Sequence, residues 1–360
     1  MEVLAFVPQT AAGASSRYRV FQMADRLAAF GVKLEIRPFL DARACARLYQ
    51  PGRIGTKAYD LARGAVRRWS DLAAPGYRLA LVHREIWPVI AQAPLHRLRR
   101  RQPRWVFDFD DAVWLPNVSA VNRAFAWLKP FDQPAWLVSG ACAVAAVNAY
   151  LAGWARSMRP GRPAEEVEVI RTAVDTHRWL PHAKKAGPPR LVWIGSPSTM
   201  PYLEPLRPAL ATLATRHPGL EIHVIGGRMP VGTLPLIHHD WSESSEVELV
   251  GRCDIGLAPL PDSDWARGKC GLKLLLYMAC GLPAVASRAG DHPEIVHDGR
   301  DGMLAESNDA FVAAIERLLG DPALRARMGA EARATVEERY SIHVVAPRLA
   351  ALLHQAAETA

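Results

Sequence analysis

Two lysines stand four residues apart in the stretch 265–287, which reads WARGKCGLKLLLYMACGLPAVAS. The spacing predicts that Lys269 and Lys273 share one side of the first turn of a helix, which Gly281 would end. A glycine-broken loop and a helix N-terminus offer N–H groups and a positive dipole to an anion. The pattern is therefore that of a diphosphate site, and the alternative is a solvated lysine pair on a surface helix.

Together with the residues that follow it, this stretch resembles the donor-site signature of family 4 glycosyltransferases with the GT-B fold. The matching residues beyond the stretch are Gly290, Pro293, Glu294, Ile295, Val296, Gly299 and Gly302. The resemblance implies an α/β protein in which two Rossmann-like domains face a cleft. It also implies transfer of a sugar from a nucleotide-sugar with retention of configuration, without a metal and with no cofactor other than the nucleotide-sugar as co-substrate.

The resemblance assigns roles to individual residues. Lys273 and Arg228 would hold phosphates, and Glu294 would lie beside the nucleotide. Two further residues, Gly195 and Ser196, follow a predicted strand and are expected at the same sheet edge. The expected nucleotide-sugar site comprises Gly195, Ser196, Arg228, Lys269, Gly271, Lys273 and Glu294.

The sequence departs from the family at its usual pair of glutamates, which align with Gly268 and Leu276. In the family these glutamates hold sugar and ribose hydroxyls. Three explanations stay open: a subgroup in which Lys269 and Lys273 do different work, an unusual donor, or a loss of activity. We favour the subgroup, because the surrounding run stays rich in glycine and lysine.

Three aspartates, Asp108, Asp110 and Asp111, stand at the end of the fourth predicted strand. Like charges repel one another, and such clusters usually mark a functional site. A metal-binding DxD is disfavoured by the two-domain organisation, and a phosphate-accepting aspartate is disfavoured by Ala112 and Val113, where a small hydroxyl residue is expected. We favour an acidic loop that binds acceptor hydroxyls or the transferred sugar over simple capping of the next helix. The expected catalytic residues are Asp110, Asp111 and Lys273.

The first predicted strand, 3–7, leads into a small and polar segment, 10–19, and a helix is predicted over 20–30. The segment has no GxGxxG pattern, so a dinucleotide is not indicated. Arg17 and Arg19 would precede the helix N-terminus and oppose its dipole, so we expect them to serve a ligand rather than only to solvate the helix. The expected acceptor or cleft-loop residues are Gly13, Ser16, Arg17, Arg19, Arg84 and Asp108.

The length of 360 residues suggests two domains. We expect a Rossmann-like acceptor domain at 1–175, a Rossmann-like donor domain at 187–340, and a final helix at 341–360 that packs back toward the first domain. A polar linker is predicted at 184–189. The five cysteines show no metal spacing and no signal peptide is evident, which indicates free thiols in a reducing cytoplasm and no metal site.

Basic residues concentrate in the first half, because residues 1–172 hold 25 Lys and Arg against 14 Asp and Glu. The predicted helix 53–72 and the segment 95–104 are both basic. Such a helix, when it also carries an aromatic, lies on anionic lipid in many peripheral proteins, although a solvated face is the commoner outcome for charge runs. The residues expected to contact lipid are Arg63, Arg67, Arg68, Trp69, Arg97, Arg99, Arg100 and Arg101.

The resemblance, together with the charge pattern, implies a cytoplasmic glycosyltransferase, peripheral at the inner face of a membrane, whose acceptor is a lipid-linked or surface-glycan precursor. The alternatives are a glycosyltransferase for a soluble small molecule and a non-catalytic nucleotide-sugar-binding protein. Nucleic acid is not an expected partner, because the basic clusters lack interleaved aromatic platforms.

Overall fold

The computed structural model describes residues 1–48, 52–102, 104–116, 127–182 and 187–358. The chain forms two compact units, one made of 1–173 with 342–360 and the other of 174–341. The predicted linker at 184–189 lies partly outside the described residues. Within the described part of the chain, no helix is both long and apolar enough to cross a membrane.

The first unit is built on a sheet of six parallel strands in the order β2-β1-β3-β4-β5-β6. After its first residue, β1 is apolar and buried, as expected for a parallel sheet that helices cover on both faces. The order places a topological switch point between β1 and β3. The strands are β1 Glu2–Val7, β2 Lys33–Pro38, β3 Leu79–His83, β4 Trp105–Phe109, β5 Ala143–Ala146 and β6 Val167–Val169.

The second unit has six parallel strands in the order β12-β11-β10-β7-β8-β9. This is the doubly wound order of dinucleotide-binding folds, and its switch point lies between β7 and β10. The sequence analysis did not predict β9. The strands are β7 Arg190–Ile194, β8 Glu221–Ile225, β9 Leu236–His239, β10 Ile255–Ala258, β11 Ala284–Ser287 and β12 Met303–Ala305.

Helices connect the strands of both sheets. The last one returns to the first unit, where it packs on the same core as the sheet. The helices are α1 Ala14–Arg19, α2 Ala24–Ala28, α3 Ala42–Leu48, α4 Ile54–Asp71, α5 Gln92–Arg101, α6 Gln133–Gly140, α7 Ala149–Ser157, α8 Arg207–Arg216, α9 Glu246–Gly251, α10 Asp264–Arg267, α11 Leu272–Ala279, α12 His292–Ile295, α13 Asn308–Gly320, α14 Pro322–Arg339 and α15 Ile342–Glu358. Two six-stranded parallel sheets with these helices confirm the predicted α/β class.

The helix predicted over 20–30 is wrong in its start and its continuity. A first helix, α1, begins six residues earlier and ends before Val20, whose backbone leaves the helical region (φ −127°). Arg17 and Arg19 therefore lie in the last turn of α1, where positive charge agrees with the helix dipole. The helix dipole therefore gives no reason to assign a ligand to these two arginines. Both side chains are buried, so they have partners or surroundings inside the first unit.

Between β7 and α8 the chain forms 3-10 turns at Pro197–Tyr202 and Glu204–Leu206, and α8 begins only at Arg207. Prolines at 201 and 205 explain the delay, because each lacks the N–H that an α-helix needs in its interior.

Arg68 lies in the interior rather than on the expected lipid-facing surface. Its guanidinium donates to the carbonyl oxygens of Val7 (3.0 Å), Arg37 (2.7 Å) and Ile86 (3.2 Å), and burial lowers its pKa to about 9. Arg67 likewise points inward and donates to the Pro38 carbonyl at 3.0 Å. Two of the three α4 arginines expected to contact lipid, Arg67 and Arg68, therefore hold this helix to the ends of β1 and β2.

We expect Arg68→Met to lower the free energy of unfolding by about 3 kcal/mol, because three carbonyl oxygens lose a buried charged donor. Arg63→Met is the matched control on the same helix. Its side chain is more than half exposed and pairs with Asp41, so its loss should cost less than about 1 kcal/mol. Urea unfolding of both variants tests this, and equal stability losses would contradict the buried role of Arg68.

Candidate functional site

In the second unit, charged and aromatic side chains meet at the switch point of the sheet. The loop after β7 brings Thr199, and β7 itself carries Trp193. From the other side, α11 follows β10 and carries Lys273. The Nζ atom of Lys273 lies 3.4 Å from Thr199 Oγ1 and 5.0 Å from the centre of the Trp193 ring. One cation is thus held where doubly wound sheets bind their ligands.

Lys273 is held in an environment that disfavours its own charge. Burial lowers its pKa to about 7, and the nearby charge of Lys269 contributes in the same direction. No carboxylate among the described residues forms an ion pair with it. An anion bound at this point would supply the missing counter-charge, and the pKa of Lys273 would rise on binding.

Two glycines shape the loops around Lys273. Gly271 caps α11 with a left-handed backbone (φ +62°), and a Cβ there would lie 2.2 Å from Ile295 Cδ1. Gly226 follows β8 with φ +79°, and a Cβ on it would lie 2.5 Å from the Gly195 carbonyl oxygen. Both positions therefore need glycine. Gly226 lets the loops after β7 and β8 approach closely, and Gly271 lets the loop before α11 approach α12.

His292 completes this part of the site as a neutral group. Burial lowers its pKa to about 4, and the charge of Lys273 adds to the effect. Its Nδ1 lies 3.1 Å from the Ser287 carbonyl oxygen, which can only accept a hydrogen bond. Nδ1 therefore carries the hydrogen, and Nε2 is left as an acceptor for a hydroxyl.

The expected nucleotide-sugar residues divide into those at Lys273 and those elsewhere. Gly195, Ser196 and Gly271 lie in the loops just described. Lys269 does not share a helical turn with Lys273, because α11 begins at Leu272, and it lies over the Trp265 ring at 5.0 Å. That prediction is wrong, since Gly271 interrupts the helical backbone between the two lysines.

Arg228 and Glu294 lie outside the contacts around Lys273. Arg228 is exposed and pairs with exposed Asp240 at 2.8 Å. Glu294 is exposed on α12, where its main-chain carbonyl accepts a hydrogen bond from Tyr340 Oη. Leu276, which aligns with one of the missing glutamates, is buried in α11.

In the first unit, Asp108 is the centre of a buried polar cluster. Arg19 binds both of its carboxylate oxygens and also donates to the Ile170 carbonyl at 2.7 Å. His83 Nδ1 lies 2.6 Å from Asp108 Oδ1. Burial alone would raise the pKa of Asp108, but Arg19 and His83 lower it below its ordinary value. Arg19 is therefore a structural counter-ion and not an open ligand group.

Asp110 and Asp111 share the guanidinium of Arg84. Its Nε lies 2.7 Å from Asp110 Oδ1, and its Nη2 pairs with Asp111. Although burial acts to raise the pKa of Asp110, Arg84 and His83 bring it down to about 2. Arg84 also has a left-handed backbone (φ +63°), which a non-glycine residue adopts at a cost and which often marks functional loops.

Ser15 links the two halves of this cluster, and the sequence analysis did not include it in the site. Its hydroxyl lies 2.9 Å from Asp110 Oδ1 and 2.7 Å from His83 Nε2. A hydrogen-bonded chain thus runs from Asp108 through His83 and Ser15 to Asp110. With its carboxylates ionised at neutral pH, the cluster accepts hydrogen bonds from hydroxyl groups and does not act as an acid.

The remaining expected residues of the first unit lie beside this cluster. Gly13 precedes α1 as its N-cap, while Ser16 and Arg17 are buried. Within the described residues, no group of three His, Cys, Asp or Glu side chains is arranged to hold a metal ion. Sequence reasoning gave no role to His83, although it is the last residue of β3 and so lies at the sheet edge where such folds bind ligands. Ser15 belongs to the polar segment 10–19 that was expected at this edge, but it was not among the residues selected for the site.

Comparison with solved structures shows the fold. Over 99% of both chains, the structure superposes on sucrose-phosphate synthase from Thermosynechococcus elongatus with a TM-score of 0.73 at 17% identity. It also superposes on HepE from Anabaena, solved with UDP and glucose, over 98% of this chain and 99% of that one, with a TM-score of 0.70 at 17% identity. The protein has the GT-B fold, as predicted.

Sequence comparison gives a related result. Residues 188–321 match the family described as Glycosyl transferases group 1, in agreement with the resemblance stated for the donor stretch. Over 85 residues the chain is 38% identical to the GDP-mannose-dependent alpha-(1-6)-phosphatidylinositol monomannoside mannosyltransferase of Mycolicibacterium smegmatis. That segment is 23% of this chain and 22% of the relative, so the chain spans about a fifth of the length of the first curated relatives that it matches.

We expect Lys273→Met to stabilise the folded protein near neutral pH, by at least about 1 kcal/mol, since each unit of pKa depression corresponds to about 1.4 kcal/mol. The folded state holds the Lys273 pKa near 7, well below its unfolded value. Protonated Lys273 therefore destabilises the folded state by its full amount below pH 7, and this destabilisation disappears as pH rises toward the unfolded pKa.

The stabilisation by Lys273→Met should consequently shrink between pH 7 and pH 10 in urea unfolding experiments. Lys33→Met is the control, because that side chain is largely exposed and pairs with Glu2 at the surface. A destabilised Lys273→Met protein, or an effect that does not change with pH, would contradict this account of the site.

Proposed function

We propose that the protein is a glycosyltransferase that moves a sugar from a nucleotide-sugar, bound by the second unit, to a hydroxyl group held by the first. The observation that carries the proposal is Lys273, a half-buried cation without a carboxylate partner at the switch point of a doubly wound sheet. The group 1 glycosyl transferase domain includes this residue and supports the same reading.

On the donor side, the diphosphate binds against Lys273 and the loops at Gly195 and Ser196. Departure of the diphosphate from the anomeric carbon leaves negative charge on its oxygens. A fixed cation in a partly dehydrated site stabilises that charge as it develops, which lowers the barrier to transfer. Lys273 needs no reorganisation for this role, because Trp193 and Thr199 already hold its ammonium group.

On the acceptor side, Asp110 and Ser15 accept hydrogen bonds from the acceptor or from the transferred sugar, and Asp111 acts with them. Arg84 occupies the position between Asp110 and Asp111 where a metal-dependent enzyme would hold a divalent cation. This arrangement supports the proposal of a metal-independent enzyme. We propose retention of configuration and membership of family 4 because the stretch 265–287 resembles the donor-site signature of that family.

The identity of the substrates is proposed from the relatives. The mycolicibacterial relative is named as GDP-mannose-dependent, and HepE was solved with UDP-glucose. We therefore propose GDP-mannose and UDP-glucose as the first donors to test. The relative's phosphatidylinositol mannoside favours a lipid-linked or surface-glycan precursor as acceptor, reached at the cytoplasmic face of a membrane.

A non-catalytic nucleotide-sugar-binding protein is the second candidate. The observation in its favour is the loss of both family glutamates, with Gly268 at the end of α10 and Leu276 inside the core. Such a protein would bind donor at Lys273 and would not cleave it. Donor hydrolysis or transfer therefore separates the two candidates.

We expect a panel of nucleotides and nucleotide-sugars to raise the thermal stability of the wild-type protein, and a matching donor to be hydrolysed slowly. Lys273→Met should lose about 2.7–4 kcal/mol of transition-state stabilisation, or two to three orders of magnitude in turnover. Because Lys273→Met is expected to fold at least as stably as wild type, loss of activity cannot be ascribed to unfolding. Wild-type turnover in this variant would contradict the assignment.

We expect Asp110→Asn to reduce transfer to the acceptor while leaving nucleotide-sugar affinity within about twofold of wild type, because Asp110 belongs to the first unit. Isothermal titration with donor and a transfer assay measure the two effects separately. Asp309→Asn on α13 is a control that removes an exposed carboxylate. Unchanged transfer, or wild-type activity that is abolished by EDTA and restored by manganese, would contradict the proposed acceptor side.

A further inference from the structure

The outer face of α4 is apolar, which is unusual for a helix at the surface of a protein. Tyr59, Val66 and Trp69 are 65%, 76% and 42% exposed. With exposed Ala62 they recur at intervals of three and four residues, so they form one continuous stripe along the helix. Of the basic residues of α4, Arg67 and Arg68 point to the interior, whereas Arg63 is exposed beside the stripe and pairs with Asp41.

Helix α5 places arginines directly beside the stripe. The guanidinium of Arg97 lies over the Trp69 ring at 4.6 Å, and its Nε donates to the Trp69 carbonyl at 2.9 Å. Arg100 and Arg101 follow three and four residues later on α5, so they neighbour Arg97 on the same side of that helix. Both are exposed. The apolar stripe therefore has a cationic border.

More apolar surface continues from Trp69 into the loop after β3. Trp87 packs edge-on against Trp69 at 6.4 Å, and the two rings line a shallow depression of about 390 Å³ with Ala65 and Val66. Ile90, in the same loop, is 67% exposed and has a left-handed backbone (φ +43°), which a β-branched residue adopts only under strain. Ile90 therefore adds exposed apolar surface in the loop that carries Trp87.

We propose that this surface, the stripe of Tyr59, Val66 and Trp69 with its border of Arg97, Arg100 and Arg101, docks the protein onto an anionic lipid bilayer. Tyrosine and tryptophan favour the interfacial layer of a membrane, and arginines beside them pair with anionic headgroups. The cationic border argues for lipid over a second copy of the chain, which would bring like charges together. Docking would bring the enzyme to a lipid-linked acceptor, and this part of the proposal rests on the proposed function.

The test is co-sedimentation of the full chain with vesicles of phosphatidylcholine alone and of phosphatidylcholine with an equal part of phosphatidylglycerol, at low and at high salt. We expect binding to the anionic vesicles. Tyr59→Ser with Val66→Ser should weaken it about tenfold, because partial burial of two apolar side chains is lost. Arg100→Gln with Arg101→Gln should weaken it about 30-fold at low salt, from about 1 kcal/mol per arginine.

Matched controls lie in the second unit. Val231→Ser removes an exposed apolar side chain, and Arg317→Gln with Arg327→Gln removes two exposed charges. Neither should change vesicle binding. High salt should weaken the wild type and the Tyr59/Val66 variant more than the Arg100/Arg101 variant, because screening acts on the exposed charges and this variant has lost two of them.

The proposal is overturned if the wild-type protein ignores anionic vesicles, or if both paired variants bind as the wild type does. It is also overturned if mass measurement in solution shows a wild-type dimer that Tyr59→Ser with Val66→Ser dissociates, since the stripe would then be a contact between copies. Donor hydrolysis without vesicles is measured on the same proteins and should be equal in all of them. Absence of hydrolysis in wild type would count against the proposed function and leave the vesicle result interpretable.

Discussion

Both candidate sites depend on one constraint of doubly wound parallel sheets. All strands end at the same edge, and the connections diverge to opposite faces at the switch point, which leaves a crevice. In the first unit, the strand ends at β1, β3 and β4 present Ser15, His83 and Asp110. In the second unit, the strand ends at β7 and β10 lead to Thr199 and Lys273. The sequence need only place suitable residues after these strands for them to meet.

The two sites differ in how their charges are balanced, and this difference decides what each can bind. In the first unit, Arg19 compensates Asp108, and Arg84 compensates Asp110 and Asp111. A site whose carboxylates are already paired gains little from a further ion and is suited to neutral hydroxyl groups. In the second unit, Lys273 has no carboxylate partner within the described residues. Its site is therefore suited to an anionic ligand, which would provide the negative counter-charge.

Sequence reasoning succeeded wherever a residue's position along the chain determines its place in the fold. The alternation of apolar strands and helices predicted two α/β units, and Lys273 and Asp110 lie at the sheet edges where their preceding predicted strands place them. It failed where orientation decides the outcome. Arg68 looked like part of a basic surface, yet its side chain reaches three carbonyl oxygens in the interior. Helical spacing gives the direction of a side chain only after the buried face is known.

The failure at Lys269 has a related cause. The spacing of Lys269 and Lys273 suggested a shared helical turn, but Gly271 takes a left-handed backbone and starts the helix only at Leu272. A positive φ is a property of the packed loop, because Ile295 fills the space that a side chain at Gly271 would need. His83 received no role in the sequence analysis because it is the last residue of an apolar strand and nothing beside it in the sequence indicates a polar partner. The structure shows that its ring contacts both Asp108 and Ser15.

The missing glutamates can be understood from the same packing. Leu276 is 4% exposed, so its side chain belongs to the core of the second unit. A carboxylate there would be buried beside an apolar sheet and would need a partner to offset its desolvation. Under the proposed function, recognition of donor hydroxyls then falls to neutral groups around Lys273. Thr199 and the Nε2 atom of His292 are such groups, and because burial keeps His292 neutral, its acceptor nitrogen persists at neutral pH.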